Sequence, residues 1–139
     1  MQARLELTRK QILAFRRRVG GLEERKPLSA ESLRRAANFT GARLPKFLGY
    51  FERILAREKG GGLLGKTLSY ADLSYFQMIA GLRYAFPRTM AKLEPRHPLS
   101  AALHDRVASR PRIAAYLASK RRIAFNEHGI FRRYPELDA

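Results

Sequence analysis

Apolar residues recur at helical spacing through the middle of the chain. The clearest stripe is formed by Leu44, Phe47, Leu48, Phe51, Ile54 and Leu55. Steps of three and four place such residues on one side of a helix, where they pack against a core. Pro45 lies in the first turn, where its missing N–H group is not needed, and the glycines of residues 60–62 follow the end. The pattern predicts a helix over residues 44–57 and a flexible loop after it.

A second helix is predicted over residues 70–84, and its start carries a capping box. The Ser69 hydroxyl is expected to accept a hydrogen bond from the Asp72 N–H, while the Asp72 carboxylate accepts one from the Ser69 N–H. Leu68 and Leu73 occupy the staple positions on either side of the box. Nearly every face of this helix is apolar, which is typical of a central buried helix. A nucleophile–carboxylate pair is the alternative interpretation, but no histidine is expected beside it, so capping is favoured.

Further helical segments lie on both sides of these two. The Thr8-x-x-Gln11 box starts a predicted helix that ends at the Gly20-Gly21 pair, and a short one follows over residues 29–37. Residues 98–109 and the segment from Pro111 are predicted to be helical, and residues 121–139 to form an ordered tail over the bundle. Strand alternation is not found, so we predict an all-α helical bundle.

The charge of the chain is unusual. Twenty-eight Lys and Arg residues against twelve Asp and Glu residues give a net charge of +16. The excess is spread over residues 1–37 and residues 38–139 alike, so no separate basic tail carries it. A field of this sign attracts polyanions, and nonspecific binding of nucleic acid is expected. Arg16, Arg17, Arg18, Arg34 and Arg35 are the candidate phosphate contacts, with solvated helix ends as the alternative.

Other classes of chemistry find little support in the sequence. Cysteine is absent, which excludes disulfides and thiolate metal sites. The three histidines lack the spacing of metal ligands, so no metal is expected. No apolar run is long enough to span a membrane and no secretory signal is recognised, so we expect a cytoplasmic protein and no membrane partner. An aromatic group is a candidate apolar pocket, with core packing as the alternative. Its members are Tyr70, Tyr75, Tyr84 and Phe86.

Three segments, in this order, resemble the all-helical C-terminal domain of the glutathione S-transferase family. Residues 43–52 are similar to its fifth helix, and residues 63–72 to the loop and capping box of its sixth. Residues 103–117 resemble its seventh and eighth helices. The resemblance covers residues 38–139 and is closest to the sigma, mu and pi groups of the family.

The resemblance implies a reaction in which a glutathione thiolate attacks an apolar electrophile. In this family a thioredoxin-like domain binds glutathione, and no such domain is recognised before residue 38. We therefore assign no catalytic, cofactor-binding or metal-binding residue, and expect glutathione only if another domain or chain completes its site. Whether the chain is an enzyme stays open. An apolar face that the missing domain would cover is expected to attract a second copy or another helical partner.

Residues 1–37 resemble the beginning of a bacterial winged-helix DNA-binding family. The sequence therefore predicts a basic helical extension, residues 1–37, before a glutathione S-transferase-like helical domain, residues 38–139. We therefore predict a binding or scaffold module or an incomplete transferase. The alternatives are a small basic DNA-binding protein that uses its Arg-rich N-terminal helices and a folded remnant without activity.

Overall fold

The computed structural model describes residues 28–59 and 61–138, and helices dominate this part of the chain. Its α-helices are α1 (Ala30–Asn38), α2 (Leu44–Arg57), α3 (Tyr70–Ala85), α4 (Pro87–Leu93), α5 (Pro98–Ala108) and α6 (Pro111–Ala118). A π-helical turn, Phe39–Arg43, and two 3₁₀ turns, Glu94–Arg96 and Pro135–Leu137, complete the regular structure. No strand occurs among the described residues, and the predicted all-α class is confirmed. The helix predicted from Thr8 lies outside them.

Helices α1 and α2 form one continuous helical segment, joined by a π-helical turn. The Ser29 hydroxyl caps the start of α1 by accepting from the Ser32 N–H at 3.1 Å. The π-helical turn Phe39–Arg43 then leads directly into α2, just before Pro45. A proline within a helix lacks an N–H group and crowds the carbonyl four residues earlier. The wider turn accommodates Pro45, and the helix therefore extends upstream of residue 44.

The core lies between α2, α3 and α5, and α5 packs against both of the other two. Helix α3 packs against α4 and α5, and α2 packs against α5. The most completely buried apolar side chains are Ile79, Met90, Leu103 and Val107, none more than 2% exposed. Close packing of side chains from several helices at the centre is what burial of apolar surface favours. None of the described helices is long and apolar enough to cross a bilayer.

A further helix, which was not predicted, begins at Pro87, just after α3. Helix α3 ends at Ala85, and Pro87 opens the separate helix α4, which the apolar pattern did not reveal. Pro87 stands in the first turn of α4, where a fixed φ suits a helix and the missing N–H is not needed. The chain bends at Phe86, whose N–H donates to the Leu82 carbonyl at 2.8 Å.

The C-terminal segment after α6 is ordered against the bundle, as predicted. The Phe125 ring stacks on Tyr84 with centroids 5.0 Å apart. The Phe131 ring lies so close to Gly81 that a Cβ there would collide with it. Near the end, the Asp138 side chain accepts hydrogen bonds at the start of α4. Three contacts thus hold a segment that has little regular structure of its own.

Candidate functional site

The start of α3 is organised around Asp72, which has no exposed surface. Its Oδ1 accepts from the Leu63 N–H at 2.7 Å, and its Oδ2 accepts from the Ser69 N–H at 2.7 Å and the Ser69 hydroxyl at 2.8 Å. The Asp72 N–H donates to Ser69 Oγ at 3.4 Å, so both bonds of the capping box are present. The carboxylate therefore joins the helix start to the preceding glycine loop.

Asp72 stays ionised in this setting. Burial of the carboxylate raises its pKa, but hydrogen bonds from Leu63 and Ser69 and the charge of Arg106 outweigh burial, so the pKa is lowered overall. Because its pKa is lowered, the Asp72 carboxylate is a weak base and is poorly suited to take a proton from the Ser69 hydroxyl. Around the box, Leu68 packs against the core and Leu73 is 41% exposed.

A small cleft of about 90 Å³ opens beside this box, between the glycine loop and the C-terminal end of α5. Lys66 and Thr67 line it from the loop, and Arg106 and Arg110 line it from the end of α5 and the residues just after it. Gly61 has a φ of +87° and lies under the Arg106 guanidinium, where a Cβ would collide. Glycine is needed there because it alone tolerates both this φ and this approach. The cleft thus brings three cationic side chains together.

The four aromatic residues of the predicted pocket contact different neighbours. Tyr70 is 79% exposed. Tyr75 is buried, donates to Ser100 Oγ at 3.0 Å and packs on another ring of the core; burial raises the pKa of its phenol to about 12. Phe86 packs against Phe39 with ring centroids 5.4 Å apart. Since Tyr75 and Tyr84 are nine residues apart, they lie on opposite sides of α3.

Tyr84 lines a wide surface cleft of about 440 Å³ between α3 and the C-terminal segment. The other walls are Leu117, Ser119, Arg122, Ala124 and Phe125. The stacked Tyr84 and Phe125 rings give it one flat apolar wall, and Arg122 gives it a cation. Among the four aromatic candidates, only Tyr84 lines this cleft.

The candidate phosphate contacts are only partly within the described residues. Arg16, Arg17 and Arg18 lie outside them. Arg34 and Arg35 are well exposed on α1, and both donate to the Glu31 carboxylate, at 2.9 and 2.8 Å. Because Glu31 offsets part of their charge, this pair is a weaker attractor of phosphate than a free pair of arginines.

Two carboxylates that cap helices were not found from the sequence. Glu52 on α2 accepts from the Leu99 and Ser100 N–H groups at the start of α5, at 2.7 and 3.0 Å. Asp138 accepts from the Arg88 and Thr89 N–H groups at the start of α4, at 2.7 and 2.9 Å. They lie 47 to 50 residues from their partners, so no local motif signals them. For the cationic cleft, the sequence did offer a sign: Lys66 and Thr67 follow a glycine in the loop before α3, and both line the cleft.

His97 and His104 make contacts within the bundle. The His97 ring is 2.8 Å from the Leu93 carbonyl, and His104 stacks on Phe76 between Arg83 and Asp105. Among residues 28–59 and 61–138, no group of three potential ligands is placed to hold a metal ion.

Comparison with known proteins agrees with this architecture. The family described as glutathione S-transferase, C-terminal domain, matches residues 19–120. This chain belongs to that family. The match begins inside the predicted N-terminal extension, and the division at residue 38 stays a prediction.

Individual relatives carry the same family name. A glutathione S-transferase of Plasmodium yoelii yoelii is 29% identical over 83 residues, which are 60% of this chain and 38% of the relative. Glutathione S-transferase P 1 of Bufo bufo is 35% identical over 78 residues, 55% of this chain and 35% of the relative. A glutathione S-transferase of Plasmodium falciparum (isolate 3D7) is 26% identical over 89 residues, 60% and 40% of the two chains. The chain therefore spans well under half the length of these relatives.

Proposed function

We propose that this chain acts as a binding or scaffold module of the glutathione S-transferase type, without transferase turnover of its own. The match to the helical C-terminal domain family supports the assignment to the glutathione S-transferase type. The absence of turnover rests on the chemistry of the described residues: Ser69 and Asp72 form the capping box, and His97 and His104 make contacts within the bundle. Glutathione would bind only where another domain or chain supplies its site.

The observation that carries the proposal is the exposed side of α3. Its exposed residues are Tyr70, Leu73, Ser74, Gln77 and Met78. None of them is charged, although the chain as a whole carries +16. An exposed helix face with three large apolar side chains and no charge is typical of a surface that another protein covers. The proposed occupant is a second copy or a glutathione-binding domain, in a cytoplasmic setting.

Calorimetric titration with glutathione, together with a conjugation assay, tests whether the chain alone binds glutathione and turns it over. At salt high enough to screen nonspecific charge effects, we expect no saturable heat from the chain alone and no conjugation of an apolar aryl halide. Saturable binding together with turnover would contradict the proposal, because it would place a complete glutathione site on this chain.

Sedimentation of Met78→Glu tests the proposed surface. If the uncharged face of α3 mediates association, a carboxylate at its centre should weaken self-association or capture of a glutathione-binding domain. Ala102→Glu, which adds the same charge at an exposed position of α5, is the matched control. Equal association of both variants and the unmodified chain would exclude this face.

A further inference from the structure

The cationic cleft beside the capping box has no role in the proposed function. Lys66, Arg106 and Arg110 approach it from two separated parts of the chain, the glycine loop and the C-terminal end of α5. Bringing like charges together is unfavourable unless an anion lies between them. Three cationic side chains that line one cleft therefore favour an anion there.

Among the described residues, Lys66, Arg106 and Arg110 form no ion pair, as is true of most basic side chains in this part of the chain. Arg83 pairs with Glu94 and Asp105, and the arginines of α1 pair with Glu31. No described carboxylate lies within 4.0 Å of the basic groups of Lys66, Arg106 or Arg110.

Asp72 is the one acidic residue in the lining of the cleft, and it only partly offsets the charge. Its interaction with Arg106 is coulombic and is the smallest contribution to its lowered pKa. Both of its oxygens already accept hydrogen bonds from Leu63 or Ser69. With one carboxylate against three cations, the cleft keeps a net positive charge.

The size of the cleft restricts the ligand. About 90 Å³ is the volume of roughly three water molecules, which suits a single tetrahedral oxyanion. Guanidinium groups donate pairs of hydrogen bonds to phosphate oxygens, and the lysine ammonium and threonine hydroxyl add further donors. The side chains in the cleft are therefore of the kinds that bind phosphate.

The loop wall of the cleft is held in place before any ligand arrives. Gly62 donates to the Gly65 carbonyl at 3.1 Å, and the Leu63 N–H is fixed by Asp72. Gly61 allows the Arg106 guanidinium to lie directly on the backbone. A wall fixed in this way lowers the ordering cost of binding.

We infer that this cleft binds a phosphate-sized dianion, either inorganic phosphate or the phosphate group of a small monoester. Arg106 and Arg110 supply the guanidinium donors, and Lys66 and Thr67 close the opposite side. The site is distinct from the uncharged face of α3, so its occupancy does not depend on association through that face.

Two-dimensional NMR titration with inorganic phosphate tests the site, with ionic strength held constant by sodium chloride. Saturable shifts are expected at the amides of Gly61, Gly62, Lys66 and Thr67. The double variant Lys66→Gln/Arg110→Gln should weaken binding by roughly tenfold or more, since it removes two charge-assisted donors. It leaves Arg106, and thus the charge beside Asp72, in place.

The matched control is Lys92→Gln/Arg96→Gln, which removes one lysine and one arginine at exposed positions of α4 and the turn after it. It should bind phosphate as the unmodified chain does. Equal weakening in both double variants, or shifts that chloride alone reproduces, would overturn the site.

Parallel titration with methyl phosphate separates the two forms of the ligand. Equal binding assigns the site to esterified phosphate as well, and binding of inorganic phosphate alone assigns it to the free ion. Binding of single-stranded DNA but of neither small anion would overturn the inference.

Discussion

Helices α1 and α3 both start with a serine cap, but the carboxylate beside the cap has a different role in each. Ser29 and Ser69 each cap a helix with their hydroxyl, at 3.1 and 3.4 Å from the N–H three residues on. In α1 the nearby carboxylate, Glu31, is exposed and pairs with two exposed arginines. In α3 the carboxylate is Asp72, which is fully buried and also binds the loop before the helix. The first start is local, whereas the second fixes tertiary structure.

The difference shows what makes a carboxylate important in this bundle. An exposed ion pair contributes little because water screens it and long side chains must be ordered to form it. A buried carboxylate that accepts from two backbone N–H groups cannot be removed without leaving those groups unpaired. The buried Asp138 repeats this arrangement at the start of α4, and the half-buried Glu52 does so at the start of α5. Three helix starts are thus held by carboxylates that also bridge separate parts of the chain.

Asp72→Ala should have the largest effect on stability. The substitution leaves the buried Leu63 N–H and the Ser69 N–H without acceptors, and we expect a loss of about 2–4 kcal/mol in unfolding free energy. Urea unfolding followed by circular dichroism measures it. The stability of Asp72→Asn, which keeps one acceptor oxygen, should lie between that of Asp72→Ala and that of the unmodified chain. A loss below about 1 kcal/mol for the alanine variant would show that water replaces the carboxylate at no great cost.

Acidification should weaken the bundle through the same groups. The pKa values of Asp72 and Asp138 are lowered in the folded chain, despite the opposing effect of burial, because backbone and hydroxyl groups donate to both. The unfolded chain therefore binds protons first as the pH falls. The stabilisation is complete above the unfolded value near 3.8 and is lost as the pH drops through the folded values.

Thermal melts between neutral pH and about pH 2.5 measure this loss. Asp72→Asn and Asp138→Asn should each show a shallower decline than the unmodified chain, since each lacks one of the titrating groups. Declines parallel to that of the unmodified chain would show that other carboxylates are responsible.

The main helices and the capping box could be predicted from the sequence, and the features that were missed have physical reasons for leaving no local pattern. The helices over residues 44–57 and 70–84 follow from their apolar residues, because each buries one face. The prediction that the second is buried on nearly every face was wrong, since one side of α3 is exposed. The hydrogen bonds of the Ser69–Asp72 box follow from a spacing of three. Glu52 and Asp138 act across about 50 residues, and no local pattern encodes such a distance. Helix α4 was missed because Pro87 both ends one helix and starts another.

Ser69→Ala should have an intermediate effect, and Ser29→Ala a smaller one. Loss of a serine cap costs about 1 kcal/mol. The Ser69 hydroxyl also donates to Asp72 at 2.8 Å, so its removal takes away a bond to a buried carboxylate in addition to the cap. Chemical unfolding of the two variants in parallel measures the difference. An equal loss at both positions would mean that the hydroxyl contributes only as a cap.

Glu31→Gln should have the smallest effect, at most about 0.5 kcal/mol. Its carboxylate and both arginine partners are exposed, and all three side chains lie on one turn of α1, so the substitution breaks no contact between helices. The effect should also shrink as salt is added, because surface charges are screened within about 10 Å at 0.1 M. Unfolding in low and high salt measures both properties. A loss above about 1 kcal/mol that salt does not change would place Glu31 with Asp72, as a residue that holds tertiary structure, and the contrast between the two helix starts would fail.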